Sequence, residues 1–186
     1  YMVALAVLGL SAFFLMLQSN QLMDYQVARL TSFINPDAAD PDDIYNVNQA
    51  QIAIGGGQLF GQGLFNGSQT KLAYVPENQT DFIFTVVGEE LGFVGSTVMI
   101  GLFVLLLWRA IRIAALSRDT FGTLIAGGII AVFAFQMFIN IGMATGIMPV
   151  TGLPLPFVSY GGTSLIGSYL MVGLLLNVHM RRFQPG

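Results

Sequence analysis

The chain has 186 residues, of which 54% are hydrophobic and 9% charged, with a formal net charge of −3 and a mean hydropathy of +0.70. A soluble domain carries about 25% charged residues, so a chain this apolar belongs in a bilayer. The absence of cysteine excludes a disulfide framework, a thiolate metal site and a cysteine nucleophile from this chain; a single histidine excludes a His-rich metal cluster, and the negative charge gives no reason to expect nucleic acid.

Taken in chain order, residues 1–17, "YMVALAVLGLSAFFLML", are apolar from the first position and lack a basic leader. They read as a membrane helix entered partway rather than a signal peptide, and the expectation is the C-terminal piece of a longer membrane protein. A long polar segment follows over 18–81. In it, "MDYQVARLTSFINP" places Val27, Leu30, Phe33 and Ile34 on one helical stripe, the pattern of a helix lying along the interface and ending before Pro36. "DAADPDD" is an acidic turn, which lacks the EF-hand pattern. "IYNVNQAQIAI" is a second short amphipathic helix. The glycines Gly55, Gly56, Gly57, Gly61 and Gly63 then form a loop without the G-K-[ST] ending of a phosphate loop; a flexible turn for close backbone packing is the better reading. Asn66 and Asn78 head glycosylation sequons, a short and frequent pattern that means nothing in a bacterial source.

Three further spans are expected at 82–108, 120–147 and 157–180, each near the about 20 residues needed to cross a hydrocarbon core. They are joined by 109–119 and by the Pro-rich 148–156, and 181–186 form a tail. Arg109, Arg112 and Arg118 lie in the first connection, and Arg181 and Arg182 follow the last span. Basic residues near span ends mark the cytoplasmic side, so 18–81 and 148–156 are expected outside. The outer segment is acidic, with Asp24, Asp37, Asp40, Asp42, Asp43, Glu77 and Asp81 against Arg29 and Lys71.

Within the spans, Gly88, Gly92 and Gly95 suggest close helix packing. Gln136 and Asn140 share a face, for hydrogen bonds between helices or for a polar cavity. Glu89 and Glu90 stand about 100° apart around the helix, so one partner cannot serve both; a structural hydrogen-bond role and a direct functional one stay open. Thr80 is the expected N-cap of the second span, with Asp81 in its first turn. A helix-dipole partner explains an acid at that position but not its neighbours Pro76 and Glu77, nor the "MPVTGLPLPFVSYGG" loop on the same side. Non-helical backbone at membrane depth is tolerated where it is buried in protein or lines a cavity. The expectation is an outward-facing polar pocket with the Asp81 carboxylate at its floor, placed to serve as a general base.

"VPENQTDFIFTVVGEELGFVG" and "NIGMATGIMPVTGLPLPFVSYGGTS" resemble the C-terminal half of the SEDS family (shape, elongation, division and sporulation). The likeness continues in order through "YQVARLTSFINPD", "YNVNQAQIAIGGGQLFGQGL" and "GSQTKL", and "GLFNGSQTKLAYVPE" looks closer to the rod-shape RodA branch than to the division branch, FtsW. The resemblance implies an all-α polytopic membrane protein of about ten transmembrane helices, of which this chain holds the last four and a large extracellular loop bearing short amphipathic helices. It implies a peptidoglycan glycosyltransferase in the bacterial cytoplasmic membrane, polymerising lipid II at the outer face with a class B penicillin-binding protein as partner. The aspartate of the family's P-E-x-x-T-D motif falls on Asp81, the essential acid. Gln79 stands where a histidine is common, which removes any auxiliary histidine role. In the implied mechanism Asp81 deprotonates the acceptor hydroxyl as it attacks the donor's anomeric carbon, and polyprenyl pyrophosphate leaves. Arg29 and Lys71 are the outward cations available to the pyrophosphate, and Glu77, Thr80, Ser159, Tyr160, Gly161 and Gly162 complete the expected substrate-binding set. No metal site is expected; a divalent cation, Mg or Mn, is the one cofactor the chemistry leaves open. Two rival classes fit the same features less well: a lipid II flippase and a scaffold whose outer loop docks a partner. The polar residues gather at one face rather than through the bilayer middle, which favours an enzyme.

Overall fold

The structure, a computed structural model, describes residues 41–71 and 80–182, without the side chains of Asp42, Asp43 and Lys71. Tyr1–Ile44 and Tyr45–Gly186 form two compact units, and the account below concerns the second. The expected first span, the interfacial helix, Arg29 and Glu77 lie outside the described residues. The helices are α1 (Pro41–Gly56), α2 (Ser68–Lys71), α3 (Ile83–Ala115), α4 (Thr120–Ala144) and α5 (Gly162–Arg181). Among the described residues the protein is all-helical, and α3, α4 and α5 are long and apolar enough to cross a membrane.

Helix α1 is longer than the apolar pattern suggested. It starts at Pro41, inside the acidic stretch expected to be a turn. Proline suits a first helical position, because its missing N–H is one that would have no intrahelical partner. The helix ends in the glycine run, where Gly57 N–H still bonds the Ala53 carbonyl at 3.2 Å.

Helix α3 is 33 residues long and is broken at Gly92, whose φ of 66° and ψ of −162° are non-helical. An unbroken helix would pair the Phe93 and Val94 N–H groups with the Glu89 and Glu90 carbonyls. Here the glycine-rich loop takes all four. Gln62 and Gly63 N–H donate to the Glu89 and Glu90 carbonyls at 2.9 and 3.0 Å, while Phe93 and Val94 N–H donate to the Gln58 and Leu59 carbonyls at 2.9 and 3.0 Å. In a membrane each unpaired backbone group would cost several kcal/mol, so the loop is what makes the break tolerable. Such contact needs glycine: a Cβ on Gly57 would strike the Gly88 carbonyl, and one on Gly61, at φ +78°, the Glu90 carbonyl. The close-packing reading of these glycines holds, but the segment is a fitted insert rather than a flexible turn. Gly88 and Gly92 correspondingly face Ile54 and the loop backbone, not another long helix.

Helix α4 carries no charged residue. Asp119 caps its start by accepting from Gly122 N–H at 3.3 Å. Its end is a Schellman turn: Gly146 has φ +77°, Ile147 N–H bonds the Gly142 carbonyl at 2.8 Å and Gly146 N–H bonds Met143 at 3.2 Å. Helix α5 begins at Gly162 rather than near Phe157, because Phe157 takes φ +64°, a conformation costing a bulky residue about 1–3 kcal/mol. That turn puts its ring against Phe133 at 5.5 Å and edge-on to Tyr169 at 5.7 Å, joining a core cluster of Ala110, Ala126, Ile129, Phe133 and Leu175. A second cluster of Ala50, Phe82, Phe84 and Ala144 ties α1 to the start of α3 and the end of α4.

The repair of the α3 break yields a paired prediction. Gly92→Ala places a Cβ at positive φ against loop backbone and should destabilise the full-length protein by at least about 1–3 kcal/mol. Gly101→Ala, in the same helix with open space at its Cβ, should be neutral or stabilising by up to about 1 kcal/mol. Thermal unfolding of both variants in one detergent checks the contrast; equal melting temperatures would refute it.

Candidate functional site

Asp81 lies in a turn over 80–82 that precedes α3. Phe82, not Thr80, is the residue before the first helical turn, and no side chain caps the helix there. The expected Thr80 N-cap is therefore wrong, and Asp81 stands outside the helix rather than in its first turn. Phe82 is 2% exposed and belongs to the second core cluster; burying that ring draws the turn against α1 and α4 and sets where the helix can begin.

Two side chains from distant segments hold this turn. Asn140, fully buried near the end of α4, donates through Nδ2 to the Asp81 carbonyl and to the Leu153 carbonyl, both at 2.8 Å. Ser159 Oγ donates to the Thr80 carbonyl at 2.7 Å and accepts from Leu155 N–H at 2.7 Å. One amide thus joins α4, the Asp81 turn and the Pro-rich loop, and one hydroxyl joins that loop to the residue before Asp81. Asn140 satisfies the interhelical-glue reading in a different form, because its partners are loop carbonyls rather than a second helix. Its Oδ1 has no partner among the described residues.

The carboxylate itself meets the same loop. A Cβ built on Gly152 would lie 3.1 Å from Asp81 Oδ2, and Gly152 has φ +72°. The segment between α4 and α5 therefore approaches the Asp81 turn, through Gly152 and Leu153 of the Pro-rich loop and through Ser159 beyond it. Tyr160, in contrast, is 78% exposed. Gly161 is the residue before α5 and Gly162 its first. Thr80 is half-buried beside Asp81. The Lys71 side chain, with Arg29 and Glu77, lies outside the described residues. Among the described residues no three His, Cys, Asp or Glu side chains gather as a metal site.

The adjacent acids of α3 separate sharply. Glu89 is fully buried and accepts four hydrogen bonds: from Ser68 Oγ at 3.3 Å and Gln69 N–H at 2.7 Å on Oε1, and from Thr70 N–H at 3.0 Å and Thr70 Oγ1 at 2.6 Å on Oε2. These offset the desolvation of the charge and fasten α2 to α3. Glu90 is 9% exposed, and its carboxylate has no such clasp among the described residues. From the sequence a structural role and a direct functional one stood level for these acids; the donors that give Glu89 its structural role lie 19–21 residues upstream.

Residues 1–184 match the FtsW/RodA/SpoVE family, described as cell cycle protein. The chain is 47% identical over 96% of its length to stage V sporulation protein E of Bacillus subtilis, covering 48% of that protein. It is 49% identical over 83% of its length to a probable peptidoglycan glycosyltransferase FtsW of Trichlorobacter lovleyi, covering 40% of it. To the peptidoglycan glycosyltransferase MrdB of Escherichia coli it is 40% identical over 97%, covering 49%. The chain thus spans about half the length of these relatives. Among solved structures it is similar to a chain of a peptidoglycan synthase complex described for coordinating polymerization and crosslinking, with TM-score 0.69, 33% identity, and coverage of 97% of this chain and 50% of that one. It is also similar to the rod shape determining protein RodA of Thermus thermophilus, solved as an aspartate-to-alanine mutant, with TM-score 0.55, 43% identity, and coverage of 59% and 37%.

The two-carbonyl grip of Asn140 should be measurable. Asn140→Ala strands the Asp81 and Leu153 carbonyls, each at about 1–3 kcal/mol, so the full-length protein should melt markedly lower. Gly152→Ala should act differently, since a methyl group there is strained and presses on the Asp81 carboxylate. It should leave expression near normal and lower activity, read by the polymerisation assay described below. Unchanged stability in the first variant and unchanged activity in the second would show that neither contact matters.

Proposed function

The chain belongs to the FtsW/RodA/SpoVE family, and on that premise we propose that its full-length protein polymerises lipid II into peptidoglycan glycan strands, with Asp81 as the general base. The observation that carries the proposal is the convergence on one turn. Asn140 from α4 and Ser159 from the segment before α5 hold the carbonyls on either side of the Asp81 Cα, and glycine at 152 lets the loop backbone come close to the carboxylate. A base must be held in place to gain from proximity, and this one is held through its own backbone.

In the proposed step Asp81 takes the proton of the acceptor sugar hydroxyl. The hydroxyl oxygen bonds to the donor's anomeric carbon, and the bond from that carbon to polyprenyl pyrophosphate breaks with its electron pair. One base and a good leaving group suit single-step inversion, with no water to activate. Arg29 and Lys71 are proposed to steady the pyrophosphate, and Glu77, Thr80, Ser159, Tyr160, Gly161 and Gly162 to line the substrate path. A class B penicillin-binding protein is the proposed partner, in keeping with the peptidoglycan synthase complex that the chain resembles. The relatives carry sporulation, division and rod-shape names alike, so the elongation role rests on the "GLFNGSQTKLAYVPE" likeness.

Asp81→Asn is the decisive variant. Asparagine keeps the size and loses the proton acceptor, and removing a general base lowers rate about 10²–10⁴-fold. Purified full-length variant with its penicillin-binding partner should insert and assemble normally yet fail to polymerise lipid II. Cells relying on it should round up rather than filament. Polymerisation near the unmodified rate would move the base elsewhere in the protein.

The proposed orientation sets Asp81 on the outer face and the Arg109–Arg118 connection in the cytoplasm. Cysteines introduced by Asp40→Cys and Ala115→Cys test it. An impermeant maleimide should label position 40 and spare 115 in intact cells, and the reverse pattern would invert the topology.

A further inference from the structure

The end of the bundle remote from Asp81 carries a second constellation of polar groups. Helix α5 runs 20 residues away from the Ser159 side, about 30 Å at 1.5 Å per residue, so this end sits at the opposite membrane boundary. There the loop between α3 and α4 meets the last turn of α5 around a cavity of about 580 Å³ lined by Arg118, Asp119, Asn177, Met180 and Arg181. A narrower cavity of about 160 Å³ shares Asp119, Asn177 and Arg181 and is otherwise lined by apolar groups, among them Phe121, Ile125, Leu174 and Val178.

We propose that this composite cavity binds an anionic phospholipid of the bilayer, its phosphate in the polar mouth and the start of an acyl chain in the slot between α4 and α5. The charge balance favours an anion. Two arginines, Arg118 and Arg181, line the mouth against one acid among the described lining residues, Asp119, which caps α4 by accepting from Gly122 N–H at 3.3 Å. Arginine presents a planar fork of donors that matches phosphate oxygens, and the Asn177 amide adds a neutral donor. The apolar slot selects the source of the phosphate. A soluble phosphate would leave it empty, whereas a lipid headgroup arrives with a hydrocarbon chain attached. Basic pockets between membrane helices bind anionic headgroups in this way. The general excess of arginine at cytoplasmic span ends accounts for the charges but not for an apolar slot opening off the cavity they line. The inference is independent of the polymerase reading and of which membrane face this is.

The test uses the full-length protein in nanodiscs of phosphatidylcholine with one-third phosphatidylglycerol, reading lipid retained on the released protein by native mass spectrometry. Phosphatidylglycerol should be retained over phosphatidylcholine. Arg118→Gln and Arg181→Gln should each lower its retention about tenfold, the scale of a charge-assisted hydrogen bond. Leu174→Trp, which fills the slot without changing charge, should lower it as well. Arg109→Gln, which removes the same charge outside the cavity, should change it less than about twofold at physiological salt. Glycerol phosphate at millimolar excess should not displace the lipid. Loss of retention in Arg109→Gln equal to that in Arg181→Gln would reduce the effect to diffuse surface charge. Displacement by glycerol phosphate would make the site one for soluble phosphate, and no lipid retained by the unmodified protein would mean that the rest of the protein fills the cavity. Each of these three results overturns the proposal.

Discussion

Backbone groups in a membrane must find partners, and α3 breaks that continuity at Gly92. The rest of this end of the molecule follows from how the break is repaired. Four backbone hydrogen bonds from residues 58–63 replace those lost between Glu89–Glu90 and Phe93–Val94. The loop can approach that closely because glycine stands at 57 and 61 on its side and at 88 and 92 on the helix side. Once seated, the loop delivers Ser68–Thr70 to the Glu89 carboxylate, and the buried charge acquires the donors it needs. A break in a long helix and a charge inside it would each be costly alone. Together with one inserted loop they become mutually supporting.

The Asp81 turn is built on the same logic with side chains in place of backbone. Its carbonyl and that of Thr80 sit ahead of α3, where helical geometry offers them no partner. Asn140 and Ser159 supply the missing donors. Because Asn140 also grips Leu153, the Pro-rich loop and the Asp81 turn are fixed to one amide. Relative displacement of the two would strand a buried polar group. This coupling explains how a carboxylate on a non-helical turn can have a defined position against Gly152.

The molecule is polar at its two ends for different reasons. At the Asp81 end, irregular backbone is tied down by buried hydrogen bonds, and Gly152 lets the loop backbone approach the carboxylate. At the other end, helices terminate conventionally, with Asp119 capping α4 and arginines at the end of α5, and the polar groups border open space. The first arrangement fixes atoms. The second presents charges to whatever occupies the membrane boundary.

Much of this was legible in the chain itself. Runs of apolar residues between charged clusters mark α3, α4 and α5, because burial in lipid imposes composition and length. The motif around Asp81 and the ordered likeness to the SEDS family identify the membership and the candidate acid. Glycines at 57, 61, 88 and 92 announce close approach. The sequence could not say what approaches what. Asn140 meets a carbonyl 59 positions away, Ser159 one 79 positions away, and Glu89 its donors 19–21 positions away. The groups at the far ends of most of these bonds are backbone N–H and carbonyl groups, which every residue carries and which therefore leave no mark in the order of side chains. That is why Thr80 looked like a cap, why the role of Glu89 stayed open, and why a helix break mended by a loop could be decided only when tertiary structure brought the two segments together.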